Sequence, residues 1–342
     1  MRVMITGNLG YVGTVMTPLV RAAGFDVWGL DTGFYRDCVL GDLPALSVQR
    51  QIDKDIRNVS PGDLEGVSAI VHLAALSNDP MGELNPGLTE EINLAASVRL
   101  ATMARECGVS RFVFASSCSI YGQSDRVLTE ESEFRPLTAY ARSKVETERA
   151  LAELATDGFS PVYLRNGTAY GFSPRLRVDL VVNNLTGWAA TTGEVKLMSD
   201  GRAWRPLVHV EDMSRAVIAA LTVPRERVHN QAFNVGRAQD NFQIRTIAEE
   251  VARVVPKSRV TFAEGVSADA RNYNVGFGKI ERQLPEFQPR WTVPAGIREL
   301  YAAYQDLGLT YDRFMGREFT RLKQLQHLMA ERRVDESLAW ID

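Results

Sequence analysis

"RVMITGNLGYVG", Arg2 to Gly13, begins with strand-forming residues, places Gly7, Gly10 and Gly13 three apart, and opens an apolar helical pattern that runs to Gly24. A strand that empties through a glycine turn into a helix gathers backbone N–H groups at the positive end of the helix dipole, where a diphosphate is well held. Glycines so spaced can also serve close packing alone, so the next strand matters. "DVWGLD" closes on Asp31, at the distance where a carboxylate takes two hydroxyls of an adenosine ribose. A carboxylate there repels a 2′-phosphate and favours NAD over NADP, although Arg36 leaves NADP open. The competing use of Asp31 is to cap a turn with Thr32 and Gly33. Asn8, Leu9, Tyr11 and Val12 count with the glycines as candidate cofactor contacts.

Further along, "AIVHLAA" and "RFVFASS" read as strands, with helical patterns in "NLAASVRLATMARECG" and "SKVETERALAELATDG". Strands alternating with crossover helices predict an α/β fold with a Rossmann-type doubly wound parallel sheet. Beyond residue 172 the elements shorten, with helices expected in "VVNNLTGWAATTG" and "EDMSRAVIAALTV" and strands in "RPLVHV" and "QAFNVG". The expected organisation is a cofactor domain over 1–172, to which later strands return, and a smaller C-terminal substrate lobe over 173–342. The tail "TRLKQLQHLMAERR" spaces Leu322, Leu325, Leu328 and Met329 on one helical face.

The 342 residues are 45% hydrophobic and 24% charged with a formal charge of -3, the balance of a soluble globular protein. No Lys/Arg stripe marks the chain for nucleic acid. No apolar run approaches the length of a membrane span and no leader-like segment precedes the first strand, so a cytoplasmic protein without membrane contact is expected. Cys38, Cys107 and Cys118 are too few and too far apart for a disulfide framework or a closed zinc site. His72 and His209 have no second ligand at metal spacing and read as packed or hydrogen-bonded, so no metal is assigned.

Tyr140 and Lys144 in "YARSK" stand one helical turn apart and can face one site. A free tyrosine, with a pKa near ~10, is a poor base at neutral pH. A neighbouring ammonium and a cationic nicotinamide favour the phenolate, which could then take a proton from a sugar hydroxyl. Ser117, at the end of "RFVFASS", could hold the same oxygen.

With "DIR" at 55–57, "HLAA" at 72–75, Asn93, "SSCSIYG", "LRNGTAYG" and "RPLVHVED", the chain resembles, over roughly residues 1 to 300, the extended short-chain dehydrogenase/reductases that act on nucleotide sugars. The resemblance implies that Asp55 and Ile56 lie near the adenine and Leu73, Ala74 and Ala75 near the diphosphate and ribose. It places Asn93 at the nicotinamide end and Lys144 on the nicotinamide ribose. Ser117 matches the catalytic hydroxyl and Tyr140 the base. Asn183, Arg205 and Arg271 match positions that grip the nucleotide-sugar diphosphate or nearby sugar, and Thr168 replaces a common Asn, leaving room for an unusual sugar. A homodimer through the helices of Asn93–Cys107 and Tyr140–Ala155 is also implied.

Family members that dehydrate a sugar across C5 and C6 carry an Asp-Glu pair directly after the catalytic hydroxyl, and decarboxylating members a Glu at the second place. Here Cys118 and Ser119 stand there and are taken as substrate contacts. The expected activity is therefore an NAD-dependent nucleotide-sugar 4-epimerase working through a transient 4-keto sugar. The alternatives are a 4-ketoreductase or another nucleotide-sugar oxidoreductase or dehydratase, and a non-catalytic dinucleotide-binding protein. Residues after 310 have no counterpart in the shorter epimerases; they cover the pocket, extend a dimer contact or cap the lobe.

Overall fold

The computed structural model describes residues 1–43, 48–77, 85–267 and 271–341. Its centre is a seven-stranded sheet built from β1 (Arg2–Thr6), β2 (Asp26–Asp31), β3 (Arg50–Asp53), β4 (Ala69–His72), β5 (Arg111–Ser117), β6 (Ser160–Asn166) and β7 (Gln231–Val235). The spatial order is β3-β2-β1-β4-β5-β6-β7, and each neighbouring pair is parallel. The central strands are apolar runs because both faces of a parallel sheet are covered. The order reverses between β1 and β4, and the crevice beyond the C-terminal ends of such strands is where ligands bind.

Two sheet strands lacked a clear signal in the sequence. β3 is a short edge with one buried residue, Ile52, so it has no apolar run to betray it. β6 is buried throughout but contains Arg165 and Asn166, polar residues that only a tertiary partner makes tolerable inside. β7, from the second half of the chain, pairs along β6 and completes the sheet.

Helices α1 (Tyr11–Ala22), α2 (Ala96–Glu106), α3 (Ala139–Glu153), α4 (Val181–Thr192), α5 (Val210–Thr222) and α6 (Arg321–Ala330) organise three cores. Met16 and Val20 of α1 meet Ala216 and Val217 of α5 on one side of the sheet. Leu100 and Ala104 of α2 and Leu151 of α3 cover the other side, where Leu325 and Leu328 of α6 join them. The third core, with Leu185 of α4, Ile247, Leu300, Phe314 and Phe319, belongs to the second half. No helix among the described residues is long and apolar enough to cross a membrane.

Candidate active site

A cavity of about 820 Å³ opens along the C-terminal ends of β1, β2, β4 and β5 and extends under α4. One end is formed by the glycine turn. Gly10 caps α1 and has no side chain to occupy the first-turn N–H groups, and Tyr11, Val12 and Gly13 of that turn line the cavity. Gly7 has φ +75°, and a Cβ on it would lie 2.8 Å from the Ala74 nitrogen. A Cβ on Gly13 would lie 2.3 Å from the Gly7 carbonyl. Close packing and an open N–H cradle are thus two results of the same glycines.

Asp31 lines this end. One carboxylate oxygen accepts from the Leu9 N–H at 3.0 Å and the other from the Gly33 N–H at 2.8 Å, so the turn-capping use of Asp31 is real and fixes its side chain at the wall. Burial raises its pKa, opposed by those two N–H groups and by Arg175 and Arg321. Asp55, Ile56, Leu73, Ala74 and Ala75 continue the wall. Asp55 caps a short 3₁₀ turn and pairs with Arg57 at 2.8 Å.

The other end gathers the expected chemistry. β5 runs into a 3₁₀ turn at Cys118–Tyr121, capped by Ser117, whose hydroxyl accepts from the Ser119 N–H at 3.1 Å. Ser117, Ser119, Tyr140 and Lys144 all line the cavity there. Lys144 is 3% exposed, donates to the Ala115 carbonyl at 2.8 Å, and holds its ammonium 5.6 Å from the Tyr140 ring centroid. Burial pulls the lysine pKa down to about 8, while Glu148 opposes the shift. Thr168, Arg205 and Arg271 also line the cavity, with Arg205 buried beside Trp204 and Tyr273.

Five expected contacts turn away from the cavity. Asn8 bonds Gln51 at 2.8 Å behind the glycine turn, under Gly29, and Leu9 is buried, with only its N–H reaching Asp31. Asn93 bridges the Leu76 N–H and carbonyl at 2.8 and 3.1 Å, fixing the loop after β4. Cys118 points into the core, donating its thiol to the Arg165 carbonyl at 3.1 Å, and burial pushes its pKa up. Asn183 is fully buried and braces Gly171 and Arg177; its neighbour Asn184 faces the cavity, because one residue on a helix turns the side chain by about 100°.

Asn166, Arg177 and Arg321, none of them expected from the sequence, also stand in the cavity wall. Arg177 was legible as a second arginine beside Arg175, and Asn166 lies inside "LRNGTAYG", but Arg321 gave no signal. His72 sits between Thr6 and Ser97 at 2.7 and 2.8 Å, with its pKa lowered by burial to about 3. His209 bonds Glu299 at 2.8 Å under Trp291.

The wall fits a dinucleotide: an uncapped helix start, a fixed Asp31 carboxylate, and buried polar atoms with no partner among the described residues, namely Ser119 Oγ, Asn166 Oδ1 and Arg321 Nη1. Comparison with known proteins agrees. A sequence profile of the NAD dependent epimerase/dehydratase family matches residues 3–236. UDP-glucose 4-epimerase of Corynebacterium glutamicum is 30% identical over 271 residues, 73% of this chain and 79% of that protein. UDP-glucuronic acid decarboxylase 1 of Arabidopsis thaliana is 24% identical over 92% of this chain and 72% of that protein. Among solved structures, MoeE5 in complex with UDP-glucuronic acid and NAD superposes with a TM-score of 0.77 and 25% identity, over 90% of this chain and 99% of that one.

Proposed function

The chain belongs to the NAD-dependent epimerase/dehydratase family, and from that premise we propose that it inverts C4 of a nucleotide-diphosphate sugar through a transient 4-keto sugar. The observation that carries this reading is the set of groups at the reaction end. Ser117, Tyr140 and Lys144 line the cavity there, with the Lys144 ammonium near the Tyr140 ring, while Cys118 is turned into the core and Ser119 offers only a hydroxyl. Among the described residues, the carboxylates of the cavity wall are Asp31 and Asp55 at the adenosine end and Asp179, which pairs with Arg177 at 2.6 Å. Loss of water across C5 and C6 requires an additional acid and base, and removal of a C6 carboxylate is assigned to a Glu in the resembling enzymes; neither is provided by the described residues at the reaction end.

The glycine turn, Asp31 and Lys144 would hold NAD, which would supply a reversible two-electron acceptor at the sugar carbon. Tyr140 takes the proton of the sugar 4-hydroxyl and later gives it back. Lys144, mostly an ammonium below its pKa of about 8, favours the phenolate form of Tyr140. Ser117 donates to the same oxygen. Thr168, Asn184, Arg205 and Arg271 hold the nucleotide-sugar side, with the guanidinium groups suited to its diphosphate. The division is a cofactor domain over 1–172, completed by β7, and a substrate lobe over 173–342. The protein is a homodimer through α2 and α3, which its mass in solution tests.

The activity test is incubation with UDP-, GDP-, CDP- and dTDP-sugars in deuterated water. Inversion at C4 with no deuterium on carbon is expected. Deuterium at C3 or C5, or stoichiometric consumption of NAD(P)H, would overturn the 4-epimerase reading.

A further inference from the structure

The end of the chain supplies a piece of the cavity wall. Residues 311–341 cross from the lobe core, where Phe314 and Phe319 are buried, to the core beside the sheet, where Leu325 and Leu328 are buried. Midway, Arg321 is 3% exposed and lines the cavity. Its Nη2 donates to the Arg175 carbonyl at 2.8 Å, and its guanidinium carbon lies 4.1 Å from the Tyr35 ring centroid. Its Nη1 has no partner among the described residues. An unused donor on a buried cation is costly, and at a cavity wall it suits an anionic oxygen.

The neighbours indicate which anion. Ser173 donates to the Tyr11 carbonyl at 2.8 Å and accepts from the Arg175 N–H at 3.2 Å, so the backbone that Arg321 grips is tied to the glycine turn. A 2′-phosphate, by contrast, would sit against the Asp31 carboxylate. The remainder of the segment braces the residues that follow Asp31. Gln324 donates to the Phe34 carbonyl at 3.2 Å, Trp340 donates to the Thr32 carbonyl at 2.8 Å, and the Phe34 and Trp340 rings lie 5.6 Å apart. Thr32, Phe34 and Tyr35 themselves line the cavity.

Resting on the cofactor reading above, we propose that Arg321 donates from Nη1 to the diphosphate of the bound dinucleotide, and that residues 311–341 form a strap fastening the cofactor at its adenosine end. The strap lowers the rate at which NAD leaves, which suits an enzyme whose cofactor is regenerated within each turnover.

Calorimetric titration of cofactor-free protein with NAD, ADP, adenosine and NADP tests this. Arg321→Gln is expected to weaken NAD and ADP alike, by about tenfold to a hundredfold, and to leave adenosine unchanged. Unchanged NAD affinity, a loss shared by adenosine, or a loss confined to NADP overturns the assignment. Wild-type protein that binds no NAD would instead sink the cofactor reading itself, and the strap with it. Should Arg321→Gln not fold, Trp340→Ala, at a residue 42% exposed, carries the test. It is expected to lose NAD on gel filtration that the wild type retains, and equal retention overturns the strap.

Discussion

Two polar clusters meet at the end of β5 and are built by opposite rules. Beneath the strand end, Glu148 accepts from Ser116 at 2.5 Å and from Arg165 at 2.7 and 3.1 Å. Arg165 also donates to the Tyr121 hydroxyl at 3.0 Å, which donates to Asn234 at 2.7 Å. Above it, Ser119 Oγ and Asn166 Oδ1 are equally buried but have no partner among the described residues, and both residues line the cavity. A satisfied buried network specifies structure, whereas an unsatisfied one holds capacity for a ligand. Polar residues one to three positions apart serve architecture or chemistry according to the side of the strand end on which they fall.

The largest effect expected from this contrast is at Tyr140. Tyr140→Phe should lower kcat by about 10²- to 10⁴-fold, the usual worth of a positioned acid/base group, while the melting temperature of the unliganded protein stays within a few degrees. A phenylalanine variant that turns over normally would remove Tyr140 from the chemistry.

Glu148 should behave in the reverse way. Glu148→Ala leaves the buried Arg165 guanidinium uncompensated, which costs about 3–5 kcal/mol of stability. Urea unfolding measures that loss. A cost below about 1 kcal/mol would mean that the pair adds no more than a surface bridge.

Much of this contrast is legible in the sequence. The glycine turn, Asp31 and the "YARSK" pair announce themselves because each depends on local spacing along one strand or helix. What stayed hidden depends on rotation and on distant partners. Cys118 follows Ser117 directly, yet the 3₁₀ turn sends one into the core and the other to the cavity. Asn183 and Asn184 differ by one step around a helix, which a sequence without a fixed helical phase does not resolve. β6 was obscured because Arg165 looks like a surface residue until Glu148, seventeen positions earlier, is placed against it. Arg321 reaches the cavity only because the chain returns across both cores.

Lys144 joins the two clusters and gives the comparison a pH dependence. Its folded pKa of about 8 lies below the ordinary lysine value, so the unfolded chain binds the extra proton in the window between them. Stability contributed at this site therefore rises with pH from about 8 towards 10.5, by about 2 kcal/mol at pH 9.5. Wild type minus Lys144→Met, measured by denaturant unfolding at several pH values, should show that slope. A flat difference would place the lysine charge in water.

The smallest effect is the sharpest discriminator, because it compares two serines three residues apart. Ser116→Ala removes a donor from Glu148 inside the network and should cost about 1–3 kcal/mol, since a charged buried acceptor loses a bond. Ser119→Ala removes a hydroxyl whose oxygen has no partner, so stability should stay within about 0.5 kcal/mol of wild type or rise slightly. The hydroxyl should matter only when sugar is bound: kcat/KM for the nucleotide sugar should fall about two- to tenfold, the worth of one neutral hydrogen bond. If the two alanine variants lose stability equally, Ser119 belongs to the architecture, and the division at the end of β5 is not where the strand and its turn place it. If Ser119→Ala keeps both its stability and its kcat/KM, the cavity wall carries an unused hydroxyl, and the substrate must lie nearer to Asn166 and Thr168.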